Sequence, residues 1–288
     1  MISVIPFTVT RKTLDELWLH VTYRCNMACR HCLFTCCPEK EEPGALTLEE
    51  CQAYVEQALP QGLGAIYLTG GEPLLWPYLQ PFLHWYYSLD KVLPLTILTN
   101  GTLISQDLAC RFKAYVPQGL TLRISLECYT RDNHEKYRGN GSFALALKGI
   151  ENLNNQGVRP WIAYVNKSGG SLDQDRAQGL ERDFRFRLKK DYGLELAGLK
   201  IIAAYNKGRF TGQVNPAIHR DQIKERLDTI QCTYGIAVSR IGIVPCPILA
   251  DVPEAVLPGS FTDLVGQTFS LDYDFCISCM ASGTTCGR

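Results

Sequence analysis

The sequence predicts an α/β fold, an open and partial (βα)6 barrel followed by a small cysteine-rich subdomain. Three observations carry this. Short apolar runs alternate with longer amphipathic ones through the first two-thirds of the chain. Polar or glycine-rich turns follow several of the apolar runs directly. From about Gly208 that rhythm gives way to Pro, Gly and clustered Cys.

The expected strands are Leu17–Tyr23, Ala65–Thr69, Leu93–Thr99, Leu120–Leu126, Val158–Val165 and Leu196–Ala203. Helical periodicity lies between them, near Leu48–Ala58, Tyr78–Ser88, Gln106–Tyr115, Phe143–Asn155 and Asp173–Tyr192. Six βα steps are too few to close an eight-stranded barrel and enough for an open one, with its site at the C-terminal strand ends. A boundary is placed near 207, giving a barrel over 1–207 and the cysteine-rich unit over 208–288.

Composition excludes some partners. The 288 residues carry 29 basic and 29 acidic side chains, so no net field draws the chain to nucleic acid or an anionic membrane. No window approaches a membrane span, and the start has no signal-peptide pattern, so the protein is expected to be cytoplasmic. Thirteen cysteines are many for such a chain, and their spacing is more informative than their number. Cys25, Cys29 and Cys32 form a C-x3-C-x2-C loop after the first strand. Cys232, Cys246, Cys276, Cys279 and Cys286 crowd the tail. Short spacings let thiolates converge on one metal site. Three close thiolates leave one iron of a cubane cluster open; a structural zinc site completed by Cys36 or Cys37 is the alternative.

Two further motifs stand in register with the loop. Gly70, Gly71, Glu72 and Pro73 form a turn after the second strand. There, two glycines permit close backbone approach and a carboxylate can accept from an ammonium group. In Arg123 to Glu127 the period of two puts Ser125 and Glu127 on one face and Leu126 on the other.

The three-cysteine loop and the Gly-Gly-Glu-Pro turn, in this order and on these elements, resemble the radical S-adenosylmethionine superfamily. That resemblance implies a [4Fe–4S] cluster on Cys25, Cys29 and Cys32. Its open iron chelates S-adenosylmethionine, whose reductive cleavage gives a 5′-deoxyadenosyl radical that abstracts hydrogen from substrate. It implies an electron donor such as flavodoxin or ferredoxin. Cofactor contacts pass by resemblance to Ser125 and Arg138, with Asn100 in the turn after the third strand as a further lining residue. His31 stands where the family more often has another aromatic residue beside the last cysteine, and can still pack on the adenine. Glu127 stands where relatives often have Asp, and its role is open. Cys128, at the rim, is a candidate hydrogen donor to a substrate radical, against simple packing. Cys51 and Cys110 read as buried small hydrophobes.

The tail cysteines resemble the single-cluster (twitch) form of the SPASM-like auxiliary domain, with a zinc ribbon as the alternative. Cys232 and Cys246 should bracket a hairpin through Val238–Val244. Cys276 and Cys279 are the nearest further pair, with Cys286 competing. The expected reaction is epimerisation, oxidation or rearrangement of a small molecule, since no peptide-recognition domain is read at either end. The alternatives are maturation of a ribosomally made peptide by crosslink, thioether or epimerisation, and a non-catalytic iron–sulfur sensor or electron carrier. The layout also resembles the molybdopterin-precursor cyclase, set aside for want of its Gly-Gly tail.

Overall fold

The computed structural model describes residues 7–167, 172–212, 227, 230–271, 273, 275–276, 279–280 and 286–287. Strands are β1 (Phe7–Thr10), β2 (Glu16–His20), β3 (Ala65–Thr69), β4 (Leu95–Thr99), β5 (Leu120–Ser125), β6 (Trp161–Asn166), β7 (Gly198–Ala203), β8 (Gly235–Ser239), β9 (Gly242–Val244) and β10 (Thr268–Leu271). The main sheet has the order β7-β6-β5-β4-β3-β2-β8-β9. From β7 to β8 every pairing is parallel, and β9 closes the row antiparallel to β8. All six expected strands are present, β2 to β7, in their sequence order. This is the partial barrel, with sequential strands adjacent as short βα crossovers require.

Helices α1 (Leu48–Ala58), α2 (Leu79–Tyr86), α3 (Gln106–Tyr115), α4 (Arg131–Arg138), α5 (Ser142–Asn155) and α6 (Gln174–Tyr192) connect the strands. Local chemistry explains several starts. Thr47 and Glu50 form a reciprocal capping box at α1, and Ser105 and Asp173 cap α3 and α6 through their side-chain oxygens. Glycines in the left-handed region stop the short turn after α1 at Gly62 and α6 at Gly193. The helices bury one continuous core against the sheet, including Leu17, Ile66, Phe82, Ile97, Phe112, Ile124 and Ile150. Cys51 lies in that core, as expected. Cys110 does not: it faces solvent on α3, because the buried stripe of that helix runs through Ala109 and Phe112.

The expected hairpin is β8 and β9, with Ala237 opposite Val244 and Ser239 opposite Gly242. Its first strand also pairs in parallel with β2, so the sheet runs across the position near 207. Beyond it, β10 returns to pair with β1.

Among the described residues no helix is long and apolar enough to cross a membrane.

At the end of β2, His20 is wholly buried between the rings of Tyr23 and Phe34, and neither of its ring nitrogens has a hydrogen-bond partner among the described residues. Burial, then Lys207 and Lys40, lower its pKa to about 3. Burial and Arg138 do the same to His134, also to about 3. In the unfolded chain each histidine takes up a proton near pH 6.5, whereas folded it resists until about 3. Their stabilising effect is therefore complete above pH 6.5 and is lost as pH falls towards 3. Urea melts between pH 7 and 5 should show stability falling by up to about 1.4 kcal/mol per pH unit for each histidine. His20→Phe should flatten that slope.

Candidate active site

The loop from β2 to α1 carries Cys25, Cys29 and Cys32 over the C-terminal end of the sheet. Backbone bonds anchor it on three sides. Gly71 N–H donates to Thr22 O (2.6 Å) and Glu72 N–H to Arg24 O (2.9 Å), joining the loop to the turn after β3. Arg30 N–H donates to Tyr137 O of α4 (2.7 Å), and Arg209 N–H to Cys32 O (3.1 Å). The Arg209 guanidinium adds bonds to the carbonyls of Cys29, Thr35 and Cys36. A Cβ on Gly71 would lie 2.7 Å from the Tyr23 carbonyl oxygen, so only glycine permits this approach.

The three thiols line one cavity of about 210 Å³, together with Gly70, Gly71, Asn100, Ser125, Arg138, His31, Tyr205 and Phe210. The residues expected in the cofactor site thus converge, apart from Glu72 and Pro73. Glu72 does not line the cavity. It is fully buried and its carboxylate accepts from Leu74 N (3.1 Å), Thr99 Oγ1 (2.6 Å) and Asn100 N (2.8 Å), lacing the turn after β3 to the turn after β4. Burial raises its carboxyl pKa, partly offset by those donors. Pro73 opens the short turn that Glu72 caps and is buried beneath it. Cys128 also stays outside the cavity lining; its thiol meets Thr130 Oγ1 at 3.3 Å.

Glu127 is the electrostatic centre of the rim. Its buried carboxylate pairs with Arg138 (Nη2, 2.7 Å; Nε, 2.9 Å), His31 Nε2 (3.1 Å) and Lys167. Its own amide donates to His134 Nδ1 (3.1 Å). Burial alone would raise the carboxyl, but Arg138, His31 and Lys167 outweigh it and hold the group well below the usual carboxylate range. Lys167 had no motif to announce it. Its place at the end of β6, where barrel sites form, was the available signal.

The donor set fits a sulfur-ligated cluster. A hydrogen bond shared with Cys36 lowers the Cys32 thiol and raises that of Cys36, whereas burial raises the thiols of Cys25 and Cys29. Arg138 Nη1 approaches Cys29 Sγ and Asn100 Nδ2 approaches Cys25 Sγ, each at 3.9 Å. Such donors offset negative charge on ligating sulfur. Among the described residues, no three metal-ligating side chains converge tightly enough for a single metal ion.

In the tail, Cys232, Cys246, Cys276 and Cys279 line a second cavity of about 20 Å³ behind the hairpin. Cys286 is not among its lining residues. Its Sγ lies 3.5 Å from the hydroxyl of Tyr205, a residue that also lines the first cavity. Arg123 donates to Cys286 O (2.8 Å) and Gly287 O (3.1 Å), and Cys286 N–H to Gln231 (3.0 Å). Burial lowers the Arg11 pKa to about 10, against the opposing pull of Cys232 and Cys246 beside it.

The Radical SAM superfamily profile matches residues 19–169, just over half of the chain. A mycofactocin maturase, MftC of Mycobacterium ulcerans, is 32% identical over 133 residues, covering 46% of this chain and 34% of that protein. A GTP 3′,8-cyclase of Synechococcus is 38% identical over 209 residues, covering 71% of this chain and 51% of the cyclase. The chain thus spans about a third to a half of these curated relatives. Among solved structures, Streptococcus suis SuiB bound to its precursor peptide SuiA superposes with a TM-score of 0.59 at 16% identity, covering 88% of this chain and 64% of SuiB, a likeness of fold. The chain belongs to the radical SAM superfamily, whose cofactors are a [4Fe–4S] cluster and S-adenosylmethionine.

Proposed function

We propose that the protein is a radical maturase that modifies an unactivated C–H bond in a ribosomally made peptide. One observation carries the radical chemistry: three thiols, the glycine turn, Ser125 and Arg138 face a single cavity at the strand ends. When bound, the cluster and S-adenosylmethionine supply a 5′-deoxyadenosyl radical for hydrogen abstraction. The chain's own residues position them. Cys25, Cys29 and Cys32 would ligate the cluster, and Gly70 and Gly71 give the ligand room against the backbone. Ser125, Asn100 and Arg138 offer polar contacts, and Glu127 holds Arg138 in place.

The peptide substrate is inferred from similarity to the mycofactocin maturase and from the SuiB fold with its bound precursor peptide. It replaces a small molecule as the preferred substrate. The small-molecule reading keeps one specific support, the similarity to GTP 3′,8-cyclase over 71% of the chain. We further assign Cys232, Cys246, Cys276 and Cys279 to an auxiliary [4Fe–4S] cluster, because these four line one cavity.

Reconstituted, dithionite-reduced protein should convert S-adenosylmethionine to 5′-deoxyadenosine; its absence would end the radical reading. A Cys25/Cys29/Cys32 triple-alanine protein should form none while retaining about four irons. Cys286→Ala should leave those four in place, and zinc instead of iron would remove the auxiliary cluster.

A further inference from the structure

A third pocket adjoins the candidate active site. It measures about 630 Å³ and is lined by Arg30, Lys136, Tyr137, Lys167, Arg209 and Phe210. Phe210 lines both cavities, so the two adjoin at that ring. The pocket's two sides are joined by the bond from Arg30 N–H to Tyr137 O. Its shape is therefore coupled to the cluster loop on one side and to α4 on the other.

Its charge is lopsided in a chain whose formal net charge is zero. Four cations line it, and no acidic side chain does among the described residues. Lys167 is the cation with a carboxylate partner, and that partner, Glu127, is shared with Arg138 and His31. Arg209 is fixed by its bonds to the carbonyls of Cys29, Thr35 and Cys36, which hold its position without neutralising its charge. Arg30 and Lys136 are exposed and have no acidic partner among the described residues. The Lys167 ammonium lies 4.4 Å from the centre of the Tyr137 ring and that of Lys136 lies 5.7 Å away. Tyr137 and Phe210 supply an aromatic wall below these charges. A concave site lined by four cations and two aromatic rings suits a carboxylate on a short apolar stem.

We propose that this pocket receives an acidic side chain of the peptide substrate and so places the neighbouring residue over the radical cavity. This rests on the peptide reading given above. The concavity and the shared Phe210 favour a substrate side chain. A convex acidic protein, such as an electron donor, would reach mainly the exposed Arg30 and Lys136.

The test uses the reconstituted holoenzyme and two fluorescein-labelled octapeptides, one with four Glu residues and its twin with four Gln. At low salt, anisotropy should show the Glu peptide binding at least about tenfold tighter than its twin, with the preference shrinking as salt is raised. Lys136→Glu should weaken the preference at least about threefold. Its dithionite-driven formation of 5′-deoxyadenosine should be unchanged, which shows that the variant is folded. Equal binding of the two peptides, or a variant that keeps the preference undiminished, overturns the proposal. So does a variant whose cluster is reduced tenfold more slowly by flavodoxin while its preference for the Glu peptide is undiminished, because the face would then be a donor dock. Failure of the wild-type protein to form 5′-deoxyadenosine would refute the radical reading separately, and the peptide preference would still report on the pocket.

Discussion

Glu127→Ala should cost about 3–5 kcal/mol of folding stability, the range for a buried ion pair stripped of one partner. The carboxylate is wholly buried, and the cations it serves are nearly so, with side-chain exposures of 11% for Arg138 and 13% for Lys167. Removing it leaves those cations facing each other and frees Arg138 from the cavity wall. Glu127→Gln keeps the volume and one acceptor, so it should lose less. The pH dependence has a definite sign. Because the folded carboxyl is held well below the ordinary carboxyl value of 4.5, its stabilisation is complete above that value. It disappears only as pH falls through the depressed folded value. The gap between wild type and Glu127→Gln in urea melts should accordingly be full at pH 7 and close in acid.

Gly71→Ala should empty the radical cluster site. The added methyl would press on the carbonyls of Tyr23 and Arg24, the two residues that lead into Cys25. Overpacking of this kind costs about 1–3 kcal/mol, and here it acts on a loop whose position sets three metal ligands. The displaced loop would also lose the 2.6 Å bond from Gly71 N–H to Thr22 O. The tail cysteines lie elsewhere, so reconstituted protein should fall from about eight irons to about four and form no 5′-deoxyadenosine. Iron analysis with electron paramagnetic resonance of the remaining cluster would check it. A variant that still loads both sites would show that the turn does not hold the loop.

What the residues disclosed in advance depended on how local each signal is. β2 to β7 announced themselves because each is a short apolar run, and the cysteine loop and glycine turn because their spacing alone is informative. Helix α4 did not. Its sequence from Arg131 to Arg138 is almost entirely polar and buries only His134, so it has no apolar stripe to detect. The pairing of β8 with β2 was equally hidden, since nothing in either strand records the register between Glu16 and Gly235. At the site, the turn residues were found but the task of Glu72 was not. Its three internal donors come from backbone and side chains that only the fold brings together. Arg209 and Lys167 were missed for the same reason.

The pairing of β2 with β8 also bears on how the chain is made. All five residues of β2 are buried, and one of its two edges is covered only by a strand that begins at Gly235. While the polypeptide emerges from the ribosome, five βα units can assemble with that edge still bare. An uncovered, apolar strand edge is a template for pairing with another chain. The nascent protein therefore carries an aggregation hazard late in synthesis, and the β8–β9 hairpin ends it by completing the sheet.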